Sequence, residues 1–505
     1  MPVDYLKKIL NSRVYDVAVQ SPLDYARTLS ERLDNRILLK REDLQSVFSF
    51  KLRGAYNKIS GLSDAECVNG VIAASAGNHA QGVALAASKR KLRSLIVMPC
   101  TTPAIKVSAV QALGGKTLLH GDTYDEAYER AQELAAERTM PFIHPYDDPE
   151  VIAGQGTIAM ELLHQQRTPL DAIFVPVGGG GLIAGIATYI KALRPEIRVI
   201  GVEPDDAPSM YEALRAKRRV VLDQVGIFAD GVAVRQVGKE TFRLARLHVD
   251  EIILVTTDEI CAATKDIFDD TRAMVEPAGA LAVAGIKKYV ERERCRGQTL
   301  VAINSGANIN FDRLRHVAER ADLGERREAI LAVTIPEQPG SFLRFCKTIG
   351  RRGITEFNYR YADPREACVY AGVQLSGGDE ERGQLVETLR SEGYPVLDLT
   401  DNEMAKSHIR FMVGGRALGI QNECLYRFEF PERPGALLKF LSSMGKGWNI
   451  SLFHYRNHGS AYGRVLVGMQ VPARDKKRFK AFLDELGYIY FEEFDNPVYA
   501  LFLGG

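Results

Sequence analysis

"AIFVPVGGGGLIAGIATYI", residues 172–190, carries no charged side chain and is close to the length that spans a bilayer. Pro176 and four consecutive glycines interrupt its middle, and Asp171 and Lys191 border it directly. A spanning helix would break at those residues. The stretch therefore reads as a buried strand, a glycine loop and a buried helix, the unit from which α/β folds with parallel sheets are built.

Similar units flank it. "GVIAAS" is followed by a helical pattern over about 79–91, "SLIVMP" by one over about 103–113, and "KTLLH" by one over about 124–138. "RVIGVEP" and "TLVAINS" continue the series to about residue 310. Strand and helix in strict alternation predict parallel sheets covered by helices on both faces, with ligands at the carboxyl ends of the strands. The pattern leaves open whether there is one sheet or two.

The whole chain narrows the function classes. At 505 residues it is too long for one core, so two to four domains are expected. A formal net charge of +1 argues against a basic nucleic-acid or membrane footprint. The cysteines at 67, 100, 261, 295, 346, 368 and 424 are odd in number, far apart and without a CxxC pair, which fits a reducing cytoplasm better than a disulfide framework. "MPVDYLKKILNSRV" has neither the apolar core of a signal peptide nor the arginine and serine enrichment of a transit peptide.

The character changes at the charged stretch "AERADLGERREA", residues 318–329, taken as a junction. Beyond it lies an internal repeat. "LAVTIPEQPGSFLRFCKTIG" (331–350) aligns without a gap to "YRFEFPERPGALLKFLSSMG" (426–445), and after a one-residue slip "ITEFNYR" matches "NISLFHYR". Each copy predicts strand, proline–glycine turn, helix, paired strands, helix and final strand, a small α+β unit. Two such units after an enzyme-sized domain suggest a paired ligand sensor, with a purely structural repeat as the alternative.

Three loops follow predicted strands and are expected to open on the same edge of the α/β layers. Gly178, Gly179, Gly180 and Gly181 expose backbone N–H groups ahead of a helix start, which suits a phosphate as well as it suits a tight turn. The GxGxxG spacing with an acidic residue about twenty positions on is not met, so a dinucleotide is not the guest. "SAGNHAQG", Ser75 to Gly82, offers donors suited to a carboxylate, although a lone His79 at a helix start is ordinarily a packed residue. "NSGAN" (304–308) offers Ser305 at a third strand end, where serine is usually a cap. "SFKLRGA" (49–55) adds Lys51 behind an apolar run. A buried lysine, a phosphate cradle, a carboxylate cradle and a strand-end serine are together the parts needed by pyridoxal phosphate holding an amino acid.

Those four motifs resemble the fold type II pyridoxal phosphate enzymes, in particular the threonine and serine dehydratases. "PEQPGSFLRFC", "TEFNYR", "RFMVGGR" and "NISLFHYR" are similar to the doubled regulatory module of the biosynthetic, allosteric threonine deaminases. The likeness covers nearly the whole chain. It implies an α/β catalytic domain of two subdomains with parallel or mixed sheets over 1–320, a linker over 321–329, and α+β ACT-like subdomains over 330–409 and 424–505. Lys51 would carry the cofactor covalently beside Phe50. Gly178 to Gly181 would hold its phosphate, Asn78 would meet its ring oxygen, and Ser305 its pyridine nitrogen. Ser75, Gly77 and His79 would surround the substrate carboxylate. A neutral serine at the ring nitrogen makes a weaker electron sink than a carboxylate would, which favours loss of a β leaving group over transamination. The resemblance further implies L-threonine as substrate with L-serine secondary, isoleucine as inhibitor and valine as opposing effector near Tyr359 and Tyr455, no metal, and a cytoplasmic homotetramer.

Three other functions are weighed against this one. Short serine dehydratases and racemases lack a doubled module, yet one methyl group discriminates substrates by only about 1–3 kcal/mol. An amino-acid sensor that has lost its chemistry would not need Lys51 and both cradles. A nucleotide-binding protein would show a Walker lysine after the glycines, and none is present.

Overall fold

A computed structural model describes residues 3–336, 341–350, 352–359, 365–411, 422–431, 436–444, 448–456 and 462–503. The chain separates into two compact units, Met1–Ala321 and Asp322–Gly505.

The first unit holds strands β1 (Leu23–Tyr25), β2 (Arg36–Arg41), β3 (Val71–Ala74), β4 (Ser94–Met98), β5 (Lys116–Leu119), β6 (Ala172–Pro176), β7 (Arg198–Pro204), β8 (Glu251–Val255) and β9 (Thr299–Asn304). They form two sheets, one of six strands in the order β1-β2-β9-β6-β7-β8 and one of three in the order β3-β4-β5. All neighbours are parallel except β1, which runs antiparallel to β2 at the edge. In β6, Ile173 and Val175 pack with Ile183 and Ile186 of the helix Gly181–Leu193. Ala172 and Phe174 point the other way, toward Leu281 and Val283 of the helix Pro277–Glu293. A strand covered on both faces needs apolar residues at every position, which explains the uncharged run. Among the described residues no helix is long and apolar enough to cross a membrane.

Four readings are corrected. The loops after β3, β6 and β9 do not share one edge, because β3 belongs to the small sheet and the other two to the large one. Alternation is not strict, since the helices Tyr124–Glu137 and Pro149–Gln165 both stand between β5 and β6. Strands β1 and β2 precede a reading that begins near residue 70, and β8 goes unread between "RVIGVEP" and "TLVAINS"; β2 ends on Lys40 and Arg41, charges that suggest solvent but are buried against Glu161 and Asp43. The expected linker over 321–329 is mostly structured. The helix Arg313–Gly324 buries Val317, Ala321 and Leu323 and so persists through the charged stretch, and the next strand begins at Glu328.

The second unit contains two copies of one topology. Strands β10 (Glu328–Pro336), β11 (Ile354–Tyr359), β12 (Glu366–Gln374) and β13 (Val396–Asp398) form an antiparallel sheet in the order β11-β12-β10-β13. Strands β14 (Glu423–Pro431), β15 (Asn449–Arg456), β16 (Tyr462–Gln470) and β17 (Ile489–Glu492) form another in the order β15-β16-β14-β17. In each copy a helix follows the first strand and another follows the third, the βαββαβ arrangement the repeat predicts. A register shift between Ile354 and Glu356 recurs between Ile450 and Leu452. Leu331 and Val333 face the helices of their own copy, whereas Ile330 and Ala332 join Leu425 and Leu466 of the other copy. The proline–glycine turns at 339–340 and 434–435, and the "MVGGR" part of "RFMVGGR", lie outside the described residues.

Candidate active site

Lys51 is the first residue of the helix Lys51–Ser60, with Phe50 before it. This segment is tied to the loop after β9: Phe50 N–H donates to the Ser305 carbonyl at 3.2 Å, Ala307 N–H donates to the Phe48 carbonyl at 2.8 Å, and Ser49 bridges to Gly306. The Lys51 amine donates to the Pro145 carbonyl at 3.0 Å and lies 5.3 Å from the Phe50 ring centroid. Burial lowers it from 10.5 to about 8, with Glu276 opposing the shift. An amine so placed is a base and nucleophile near neutral pH.

Pro145 links this amine to the glycine loop. Its neighbour Tyr146 covers the loop so closely that a Cβ on Gly179 would overlap the Tyr146 ring. Gly180 has φ +92, a left-handed conformation, and initiates the helix Gly181–Leu193. Thr241 Oγ1 donates to the Gly179 carbonyl at 2.7 Å and fixes that peptide. The helix start with its free N–H groups is an anion cradle.

The second cradle follows β3. Ser75 Oγ accepts from Gly77 N–H at 3.3 Å, and the helix Asn78–Lys89 begins next. A Cβ on Gly77 would meet nothing within 4 Å, so the loop faces open space. Gly82 lets this helix approach the Lys51 peptide, where a Cβ would stand 3.1 Å from the Lys51 carbonyl oxygen. Asn78 Nδ2 donates to Glu276 Oε1 at 2.6 Å, and Asn308 Nδ2 donates to Asn78 Oδ1 at 2.6 Å. Ser305, 3% exposed, donates from Oγ to the Ala278 carbonyl at 3.3 Å. The amine, both cradles and the strand-end serine thus belong to one connected site.

His79 follows the packed reading of its position and not the carboxylate role that the resemblance implies. Its ring is buried and its Nε2 donates to the Ile143 carbonyl at 2.8 Å. Burial and the Lys51 charge hold its pKa down to about 3, so the ring is neutral and turned into the small subdomain. What residue 79 offers at the helix start is its backbone N–H. Tyr359 and Tyr455 sit in the other unit, at the same register position of their repeats, paired with Val369 and Val465. Their side chains lie outside the described residues.

Sequence reasoning missed Glu276 and the segment 144–146. Glu276 precedes Pro277 at the start of a helix, where an acidic residue is commonplace. Burial and nearby Asp230 raise it to about 7. His144, lowered to about 4 by burial, accepts from Tyr146 N–H and Asp147 N–H through Nδ1 and shapes the turn that presents Pro145. Nothing in the local pattern marks either one. Among the described residues no group of three or more His, Cys, Asp or Glu could hold a metal ion.

The arrangement suits pyridoxal phosphate: a depressed amine, a glycine-built anion cradle in which Cβ atoms would collide with Tyr146, and a neutral hydroxyl at the third loop. The pyridoxal-phosphate dependent enzyme family matches residues 14–306, and the C-terminal regulatory domain of threonine dehydratase matches twice, over 319–409 and 414–503. The chain is 57% identical to the biosynthetic L-threonine dehydratase of Burkholderia multivorans, covering 99% of both chains. It is 54% identical to the corresponding Escherichia coli protein, over 99% of this chain and 97% of that one. Among solved structures, the processed form of threonine deaminase isoform 2 from Solanum lycopersicum is similar with a TM-score of 0.62 at 51% identity, covering 63% of this chain and 88% of that one. Serine racemase from Dictyostelium discoideum gives a TM-score of 0.56 at 32% identity, covering 61% and 99%. With these matches along nearly its whole length, this chain is a member of the pyridoxal-phosphate dependent enzymes that carry the threonine dehydratase regulatory domain.

Proposed function

We propose that this chain dehydrates and deaminates L-threonine to 2-oxobutanoate and ammonia as the committed step toward isoleucine, and that isoleucine inhibits it through the doubled unit. The observation that carries the proposal is the Lys51 amine, lowered to about 8, standing between a phosphate cradle and an open carboxylate cradle. Bound pyridoxal phosphate supplies an electron sink for negative charge developing at the substrate Cα.

The chain's own residues divide the remaining work. Lys51 would hold the cofactor, and its amine, depressed to about 8, is the base placed to take the Cα proton. With pyridoxal phosphate bound, Gly178 to Gly181 would hold the phosphate, Phe50 would flank the ring, Asn78 would meet the ring oxygen, and Ser305 would give the ring nitrogen a neutral partner. Ser75, Gly77 and the backbone of residue 79 receive the substrate carboxylate, while the His79 ring braces the helix start against Ile143. The β-hydroxyl leaves as water, with a proton equivalent to the one taken from Cα, and hydrolysis of the resulting enamine takes up one water and gives 2-oxobutanoate and ammonia. L-serine, lacking only a methyl group, is turned over as a secondary substrate.

Catalysis belongs to residues 1–320 and effector binding to 330–409 and 424–505, with Tyr359 and Tyr455 as equivalent contacts for isoleucine and its opponent valine. Feedback requires isoleucine to favour a less active state, and linkage then requires threonine to weaken isoleucine binding. The assembly is a homotetramer in the cytoplasm. The test is 2-oxobutanoate formation from L-threonine by the purified protein, with and without isoleucine. A sigmoidal threonine curve suppressed by isoleucine is expected. Turnover indifferent to isoleucine would overturn the feedback assignment, and an absence of turnover in a yellow protein would overturn the substrate.

A further inference from the structure

The segment 227–238 belongs to neither sheet, yet it touches both sides of the candidate site. A Cβ on Gly231 would stand 3.5 Å from Glu276 Oε1 and 4.0 Å from Asn78 Nδ2, and a Cβ on Gly178 would stand 2.9 Å from Val232 Cα. Gly238 N–H donates to the Gly179 carbonyl at 3.3 Å, and Tyr146 donates from its hydroxyl to the Gln236 carbonyl at 3.2 Å. The segment is therefore a strap whose position sets the space over Asn78, Glu276 and the glycine loop.

Charges fix the strap at two places. Asp230 Oδ2 accepts from Lys106 Nζ at 2.6 Å, and Lys106 lies on the helix Ala104–Ala112, between strands β4 and β5 of the small sheet. Asp230 Oδ1 accepts from Arg313 Nη1 at 3.2 Å, and Arg313 also donates to the Phe228 carbonyl at 3.1 Å and the Ile227 carbonyl at 3.4 Å. Arg313 is 5% exposed and opens the helix Arg313–Gly324. Farther along, Arg235 pairs with Asp125 of the small-sheet side at 2.9 Å, an exposed contact of little weight. Asp230 joins the strap to the small-sheet side through Lys106 and to a buried arginine through Arg313.

We infer that Lys106, Asp230 and Arg313 are positioning residues, a clamp that holds the strap and the small-sheet subdomain in the arrangement that binds substrate. Lys106 touches no group assigned to cofactor or substrate, so it acts through Asp230. Loss of its arm leaves every catalytic group in place but lowers the population of the assembled site. Apparent substrate affinity falls by that fraction, while substrate still assembles the site at saturation.

This inference rests on the threonine reading for its kinetic arm only. The variant is Lys106→Met in the full chain with cofactor, chosen because Lys106 lies near the surface and its loss should not prevent folding. KM for L-threonine is expected to rise about three- to tenfold with kcat within about twofold, and Lys106→Arg to restore it. Raising salt should move the wild-type KM toward that of Lys106→Met and leave the variant unchanged, because the pair is partly solvated. A variant with wild-type KM and salt dependence overturns the clamp, as does one that loses kcat at unchanged KM. If the wild type turns over no threonine, the proposed substrate fails, and amide hydrogen exchange decides the clamp. Faster exchange across 104–112 and 227–238 in Lys106→Met upholds it, and equal protection overturns it.

Discussion

Lys40 and Lys51 each follow an apolar run and precede an arginine by one or two residues, and the fold buries Lys40 completely and Lys51 in part. Their surroundings then diverge. Lys40 Nζ donates to Glu161 Oε2 at 2.6 Å, to Gln165 Oε1 at 2.9 Å and to the Ser21 carbonyl at 2.7 Å. Beside it Arg53, fully buried, spans Glu161 and Glu42. Two cations and two carboxylates thus close on themselves beneath the Lys51 helix. Lys51 itself meets one carbonyl, and the acid that faces it, Glu276, is held up at about 7. Burial lowers both lysines, but only Lys40 has a carboxylate at bonding distance to hold its proton. Burial alone therefore does not make a lysine reactive; burial without a committed counter-ion does.

The largest expected effect separates the two amines directly. Lys51→Ala should cut kcat by about 10²–10⁴-fold or more and remove the visible absorbance of the protein-bound cofactor. Lys40→Met should leave that absorbance intact in the folded protein and show its damage in stability, by about 3–5 kcal/mol, because it strips one partner from a buried ionic cluster. Absorbance and denaturant midpoints measured on both variants decide the matter. A Lys40 variant that loses absorbance while remaining folded would erase the distinction between a structural lysine and a chemical one.

A smaller effect tests how the closed cluster supports the reactive amine. Arg53 reaches Glu42 at 2.8 Å through Nη2 and Glu161 at 2.6 Å through Nη1, a span that a lysine cannot reproduce. Arg53→Lys keeps the charge and should cost about 1.5–3 kcal/mol, read as a lower urea midpoint. Turnover per folded molecule should change little, since the Lys51 amine keeps the Pro145 carbonyl and the preceding Phe50 N–H keeps the Ser305 carbonyl. A fall in kcat larger than the fall in folded fraction would mean that the cluster aims Lys51 as well as stabilising its helix.

Much of this was legible in the sequence wherever a strand was covered on both faces. The apolar runs of β3, β4, β6, β7 and β9 announce themselves, and so do the loops that follow them. The one-residue slip in the repeat corresponds to the same register position of Tyr359 and Tyr455 in the two sheets. What stayed hidden depends on partners distant in sequence. Strand β2 carries a lysine and an arginine that are tolerable only because Glu161 and Asp43 are delivered to them by the fold. Glu276 is an ordinary helix-start acid until Asn78, 198 residues away, donates to it. The His79 ring is packed, as its place at a helix start suggests, but its partner, the carbonyl of Ile143 64 residues away, was not legible.

The subtlest expectation concerns Lys51 as a thermodynamic liability. In the cofactor-free protein its pKa is about 8 when folded against an ordinary 10.5, so between those values the unfolded chain binds more protons than the native one. Stability must then rise with pH across that window. Below about 8 the charged amine is buried at full cost, and above 10.5 the cost is gone because both states then carry the neutral amine. Lys51→Met has no such proton to lose, so it should be more stable than the cofactor-free wild type at pH 7, with the advantage shrinking as pH rises toward 10.5. Urea unfolding of both apoproteins at pH 7, 9 and 10 measures this. An advantage that does not vary with pH would place the Lys51 ammonium in contact with water, and the amine would then need the bound cofactor, not the fold, to lower its pKa.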